Sequence, residues 1–311
     1  MLIDLHCDTF LKLMKDKENS NLYENEFSID IRKLKRANSL AQFFAMWIDL
    51  KKENDPMERC LEMIDKFYIE LDKNPIDIAL ATNYDEIIKN NKEGKISAVL
   101  TIEEGGAIRG QLHNLRNYYR LGVRAITLTW NHANEIGYPN LNDEYRNKGL
   151  TEFGKEVVCE MNRLGMLIDV SHLSDAGFYD VARLSEKPFI ASHSNSRAMK
   201  NHFRNLTDDM IKVLSERGGV MGISVEKEFL GDSNNAKIED MIRHIKHIRN
   251  VGGIDVIAIG TDFDGCSPNS EIGNIGEMDK LREALKKNKF TEDEIDKIFY
   301  GNALRVIKEV L

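Results

Sequence analysis

Two short apolar runs, MLIDV and PFIA, each end in Ser-His, at His172 and His193. Runs of aliphatic residues bounded by polar turns read as buried strands, and the helix-length segment between them makes a βαβ unit. Strands joined that way are parallel and align their C-terminal ends, so both imidazoles project at one rim of one sheet. Imidazole is a common ligand for transition metals, and a pair in equivalent places on neighbouring strands suits a metal site. Three more strand ends carry donors. The first closes in His-x-Asp, where the two-residue period puts His6 and Asp8 on one face, towards the interior. In VLTIEEGG the alternation groups Val99, Thr101 and Glu103 and sends Leu100 and Ile102 the other way, so Glu103, ahead of Glu104, is the inward carboxylate. The last run, IAIGTDFDG, brings Asp262 inward, and Gly260 removes bulk beside the centre, which suits a site that holds a ligand.

His6, Asp8, Glu103, His172 and His193 supply three imidazoles and two carboxylates, with Asp262 beside them. A catalytic zinc takes about three protein ligands and leaves a position to water. Five exceed that count. Two divalent metal ions sharing Glu103 account for it, with His6 and Asp8 on one and His172 and His193 on the other. Such a pair holds a bridging hydroxide and suits hydrolysis.

The elements that must position these groups follow from the pattern of the chain. Eight strands are expected: Leu2–Leu5, Leu40–Ile48, Ile96–Ile102, Val123–Thr129, Met166–Val170, Pro188–Ala191, Gly219–Ser224 and Val256–Ile259. A charged segment from Lys15 to Arg36 reads as irregular. Helical patterns separate most of the strands. One starts at Pro56 after Asp55, another at Thr207 with Asp208 and Asp209 in its first turn, and a third at Thr291 with Glu294 in a capping-box pattern. Eight strands alternating with helices over 311 residues predict an α/β fold, a (β/α)8 TIM-like barrel, as one catalytic domain over 1–311. A doubly wound sheet is the runner-up. A barrel carries its active site at the C-terminal strand ends, where the donors fall.

The formal charge of −8 and pI near 5.6 argue against a nucleic-acid surface. No stretch approaches twenty apolar residues, so no membrane span is expected. MLIDLHCDTF lacks the basic and long apolar regions of a secretory signal. Cys7, Cys60, Cys159 and Cys266 lie far apart without a CxxC pair and read as reduced thiols of a cytoplasmic protein. There is no G-x-S-x-G elbow and no phosphate loop. His113, His244 and His247 read as solvated helical residues, His202 as a loop residue, and Cys7 should point away from the metals.

The motifs together resemble the membrane (renal) dipeptidase family, zinc peptidases of the amidohydrolase superfamily. The likeness runs along nearly the whole chain: HCD, TIEEGG, GVRAITLTWNH, LIDVSHLSD, PFIASHSNSR, HFRNLTDD, GTDFDG and GNALRVI. It implies a dipeptidase with two zinc ions on His6, Asp8, Glu103, His172 and His193. It also implies that Arg204, eleven residues after His193, binds the substrate carboxylate and that Asp262 assists proton transfer. A homodimer is implied as well. One departure stands out: where many members carry a histidine after the LT of the fourth expected strand, this chain has Trp130, with His132 two residues on as a candidate substrate contact. Two alternatives remain open. One is another binuclear amidohydrolase, cleaving N-acyl amino acids, lactones or phosphoesters, although RAITLT offers no lysine for the carboxylated bridge of several such branches. The other is a metal-binding protein without catalysis, against which intact Asp262 and Arg204 count.

Overall fold

The computed structural model describes residues 1–16, 20–266 and 269–311. Nine strands run through it: β1 Leu2–Asp4, β2 Ser39–Trp47, β3 Ile78–Leu80, β4 Ile96–Glu103, β5 Val123–Thr127, β6 Leu167–Asp169, β7 Ile190–Ala191, β8 Val220–Ile223 and β9 Ile257–Ile259. All pair in parallel, in the order β2-β1-β9-β8-β7-β6-β5-β4, and β2 pairs with β4 to close an eight-stranded barrel. The eight expected strands are these eight. The ninth, β3, was not expected: three residues between turn-forming flanks carry no readable period. It pairs with Ile96–Ala98 of β4 on the edge that β5 takes from Leu100 onward, so it extends the sheet at its N-terminal end without entering the ring.

Residues in register share a face, and this sorts the apolar side chains into two layers. Ile3, Phe43, Val99, Ala125, Leu167, Ile190, Val220 and Ala258 fill the barrel interior, while Phe44, Met46, Leu100, Ile102, Ile126, Ile168, Met221 and Ile257 pack outward under the helices. Cys7 is buried in the outer layer, as its place between donors implied. Two strands approach so closely that only glycine fits. A Cβ on Gly260 would lie 1.7 Å from the Ser192 carbonyl oxygen, and one on Gly222 would lie 2.8 Å from the Gly260 Cα. The space made by Gly260 is therefore taken by neighbouring backbone and not by a ligand.

The helix starts follow the cap chemistry. Asp55 accepts from the Met57 and Glu58 amides before Pro56–Lys73, Thr207 from Met210 before Asp208–Glu216, and Thr291 with Glu294 forms a reciprocal capping box. The charged segment expected to be irregular contains a helix, Ile31–Arg36, capped by Asp30 through the Lys33 amide; its residues 17–19 lie outside the described ones. His244 also departs from expectation. It is buried in the helix Ile238–Gly252, accepts the Ser196 amide at 3.0 Å through Nδ1, and donates through Nε2 to the Leu230 carbonyl at 3.0 Å. Burial pushes its pKa down to about 4, so it is a neutral tie between that helix and the loop after β7. No helix among the described residues is long and apolar enough to cross a membrane.

Candidate active site

The donors meet at the C-terminal mouth of the barrel. His6 Nε2 lies 3.4 Å from an Asp8 oxygen and 3.2 Å from Glu103 Oε2. The other Glu103 oxygen, Oε1, lies 3.0 Å from His172 Nε2 and 3.6 Å from His193 Nε2. Glu103 thus turns one oxygen to each half of the cluster. Asp262 groups with His6 and Asp8. His6, Asp8, Glu103, His172 and His193 are all buried. Glu104 takes no part: it is buried separately and accepts from the Gly106 and Trp130 amides and the Asn134 side chain.

Alternation alone does not deliver every one of these groups. Ile3 and Leu5 both belong to the interior layer, so a continuous strand would send His6 outward. β1 instead ends at Asp4, and the break lets His6 turn inward after Leu5. His172 and Asp262 stand in the left-handed backbone region, with φ of 67° and 62°. Non-glycine residues seldom adopt it, and such positions collect at functional sites.

A layer of polar groups below holds the imidazoles, and the strand-end reading missed it. Asp169, the last residue of β6, is buried and accepts from the Ser171 and Ser192 amides through Oδ1 and from Thr127 and Ser192 hydroxyls through Oδ2. With its proton given to Asp169, the Ser192 hydroxyl accepts from His193 Nδ1 at 2.8 Å. Asn131 Oδ1 accepts from His172 Nδ1 at 3.1 Å. Both imidazoles therefore carry their proton on Nδ1 and present an Nε2 lone pair, and these two atoms face each other at 3.0 Å. Lone pairs at that distance repel unless a cation lies between or beside them. Burial, reinforced by the positive charges of Arg204 and His6, holds both histidines well below their ordinary pKa, so protonation does not relieve the repulsion. Burial would lower His6 too, but Glu103 and Asp8 override it and raise its pKa well above the ordinary value. Burial raises Glu103 and Asp262 above the usual carboxylate range, and repulsion from Asp8 adds to it. Neutral imidazoles fixed by outer hydrogen bonds, opposite crowded carboxylates, are the donor set that divalent metal ions take.

The cluster forms the floor of a cavity of about 380 Å³, a size suited to a small ligand. Asp8, Glu103, His172 and Asp262 line it from below, with Arg204, Phe229, Trp47 and Trp130 among the walls. Arg204 is buried, donates from Nη2 to the His193 carbonyl at 3.3 Å, and keeps Nε and Nη1 without a hydrogen-bond partner among the described residues. It does not pair with the aspartates that start the next helix: Asp208 binds His247, and Asp209 accepts from Tyr179. Burial pushes its pKa down to about 10, which leaves it charged. His132, by contrast, is not brought to the cluster. Its Nε2 lies 3.1 Å from Asp49 Oδ1, and its ring packs edge-on against Trp130 outside the cavity lining. Trp47 was a missed wall residue, although the period through Ala41, Phe43 and Ala45 points it inward. His202 packs on Phe229 and lies off this lining, and His113 is exposed.

Comparisons with known proteins agree with this geometry. A family model described as membrane dipeptidase (peptidase family M19) matches residues 1–311. "Dipeptidase aclJ" of Aspergillus oryzae is 30% identical over 294 residues, covering 91% of this chain and 70% of that one. An "Uncharacterized protein in pqqA 5'region" of Klebsiella pneumoniae is 33% identical over 234 residues, covering 72% and 86%. The crystal structure of "dipeptidase AC", a family M19 metallopeptidase, superposes with a TM-score of 0.92 at 25% identity, over 99% of this chain and 98% of that one. This chain belongs to the membrane dipeptidase family, peptidase family M19, and is a metal-dependent hydrolase.

Proposed function

We propose that this protein is a dipeptidase with two zinc ions, held by His6, Asp8, Glu103, His172 and His193, with Glu103 shared between them. Such a pair, when bound, would supply Lewis acidity towards the scissile carbonyl and a hydroxide nucleophile at neutral pH. The chain's own groups do the rest. Asp262, at the cavity floor, takes up a proton on its carboxylate and returns it to the leaving amine nitrogen. Arg204 offers its unpartnered guanidinium N–H groups to the carboxylate of the substrate's C-terminal residue, a charge-assisted contact. Asp169 and Asn131 keep His193 and His172 in the tautomers that present Nε2.

One observation carries the choice of dipeptides: a buried guanidinium with two unsatisfied donors faces the same cavity as the donor cluster. A buried donor left without a partner costs about 1–3 kcal/mol, and a ligand carboxylate one residue beyond the scissile bond removes that cost. A proteolytic substrate with a long C-terminal extension has no carboxylate at that distance. The test is hydrolysis of a dipeptide panel by metal-loaded protein, with and without a chelator, alongside metal analysis. The expected outcome is close to two metal ions per chain and activity that disappears with the chelator. An active preparation holding one metal ion or none would discard the binuclear reading. Cleavage of N-acyl amino acids with no cleavage of dipeptides would discard the dipeptidase.

A further inference from the structure

The barrel's strand order fixes where the two halves of a bound dipeptide lie. Around the ring the strands run β1, β2, β4, β5, β6, β7, β8, β9. Arg204 belongs to the loop after β7, and Phe229, whose ring lies 5.2 Å from its guanidinium carbon, to the short helix Lys227–Leu230 after β8. Trp47 ends β2, and Trp130 follows β5. The midpoint of the β2–β5 sector is thus nearly diametrically opposite the β7–β8 sector, with the donor cluster between. A dipeptide whose carboxylate rests on Arg204 and whose scissile carbonyl lies over the cluster has one direction left for its N-terminal residue. That direction is the indole wall.

We infer that Trp47 and Trp130 form the subsite for the N-terminal side chain and that the enzyme selects large apolar or aromatic residues there; this rests on the dipeptidase reading above. The two indoles pack edge to face, with centroids 4.8 Å apart at 89°, and both line the cavity while remaining partly exposed. An aromatic wall of this kind stabilises an apolar side chain by removing both surfaces from water. It is also held in place. The Trp130 amide donates to Glu104 at 3.0 Å, and the edge-on His132 ring behind it is fixed by Asp49. Asp49 in turn binds Lys52 at 3.1 Å, and the Lys52 ammonium lies 5.9 Å from the Trp47 ring centroid. That ammonium lies over one face of Trp47 and repels a second positive charge, so a basic N-terminal side chain gains less from the wall than an apolar one.

The sequence contains two tryptophans, Trp47 and Trp130, so intrinsic indole emission reports this wall alone. Two measurements test the inference. The first is kcat/KM of the zinc-loaded enzyme on Gly-Gly, Ala-Gly, Leu-Gly, Phe-Gly and Lys-Gly. The expected gain is about tenfold or more from Gly-Gly to Phe-Gly, the size of burying roughly one face of a phenyl ring, with Lys-Gly well below Leu-Gly. In Trp47→Ala and Trp130→Ala the ratio of Phe-Gly to Ala-Gly should collapse while the metal content stays that of the parent. The second is emission of the zinc-loaded parent titrated with uncleavable reduced-amide analogues of Phe-Gly and Gly-Gly. The Phe analogue should shift or quench the emission at concentrations where the Gly analogue does not. Cleavage of all five dipeptides at similar kcat/KM overturns the inference and leaves the dipeptidase reading standing. Cleavage of none overturns the dipeptidase reading itself, and the titration then decides the subsite: equal or absent responses to the two analogues overturn it.

Discussion

The floor of the cavity and its aromatic wall are built on opposite terms. On the floor, the Nε2 atoms of His172 and His193 face each other at 3.0 Å, and Asp8 Oδ1 and two Arg204 donors have no hydrogen-bond partner among the described residues. Buried polar groups left that way oppose folding, so the apolar barrel below and bound ligands must offset them. The wall carries no such debt. Its indoles pack against each other, a buried carboxylate holds one backbone amide, and a partly exposed Lys52–Asp49–His132 relay stands behind. Function on the floor is therefore set by charge and hydrogen bonding that few substitutions preserve. Selectivity on the wall is set by shape, which substitutions alter by degrees.

The sharpest way to break this contrast is at the floor. Asp262→Asn keeps the shape and removes the proton carrier. It should retain the metals and lower kcat by roughly 10²–10⁴-fold, the usual range for an acid–base group. Near-parent turnover in a metal-replete variant would take Asp262 out of the chemistry and make the floor no more demanding than the wall. Next in size is Arg204→Ala. A charge-assisted contact is worth roughly 1.5–3 kcal/mol, so kcat/KM for a free dipeptide should fall by about 10–150-fold. A dipeptide amide lacks the carboxylate, so its already poor cleavage should barely change. Equal losses on acid and amide would mean that Arg204 shapes the loop and does not clamp the substrate.

The two regions were unequally legible in the sequence. Strand ends with a regular period gave up their contents: Val99, Thr101 and Glu103 lie inward together, whereas Asp262, three residues beyond the end of β9, reaches the cavity through a left-handed turn. Cap chemistry located three helix starts because it is local. What failed depends on partners distant in the chain. His6 turns inward because β1 ends early, which no period announces. Gly260 makes room for the Ser192 carbonyl, a contact across 68 residues (260 − 192), and His244 is buried by the Ser196 loop, not solvated by its own helix. Thr127, Asp169 and Ser192 form a network across three strands, so none of the three reads as functional alone. His132 lies off the cavity lining for a related reason: the chain leaves strand geometry after Thr127, and a two-residue step in a loop does not preserve a face.

That hidden network supplies the third prediction. Asp169→Asn replaces the acceptor that orients Ser192 and, through it, the His193 tautomer, without touching a proposed ligand. Such outer partners typically contribute 10–100-fold to metal affinity. Competition with a chromogenic chelator should show a loss of about that size, with kcat at saturating metal much less affected. An unchanged apparent Kd would mean that His193 holds its tautomer without the relay.

The smallest expected effect belongs to His132, and it separates the regions most directly. A histidine contacting the developing oxyanion would cost 10²–10³-fold in kcat when removed. The observed ring instead pairs with buried Asp49 at 3.1 Å and packs edge-on against Trp130, off the cavity lining. Asp49 keeps the Lys51 amide and the Lys52 ammonium as partners when the imidazole is removed, and a single hydrogen bond contributes about 0.5–1.5 kcal/mol, so His132→Ala should change kcat by no more than about tenfold. The loss should fall mainly on substrates with a large N-terminal side chain, because what weakens is the brace behind the wall. Asp49→Asn removes the same link from its other end and should reproduce that small, substrate-dependent loss. A hundredfold loss in His132→Ala, equal for Ala-Gly and Phe-Gly and absent from Asp49→Asn, would show that the imidazole leaves Asp49 and enters the chemistry. His132 would then belong to the floor, and the boundary drawn between charge and shape would pass on the wrong side of Trp130.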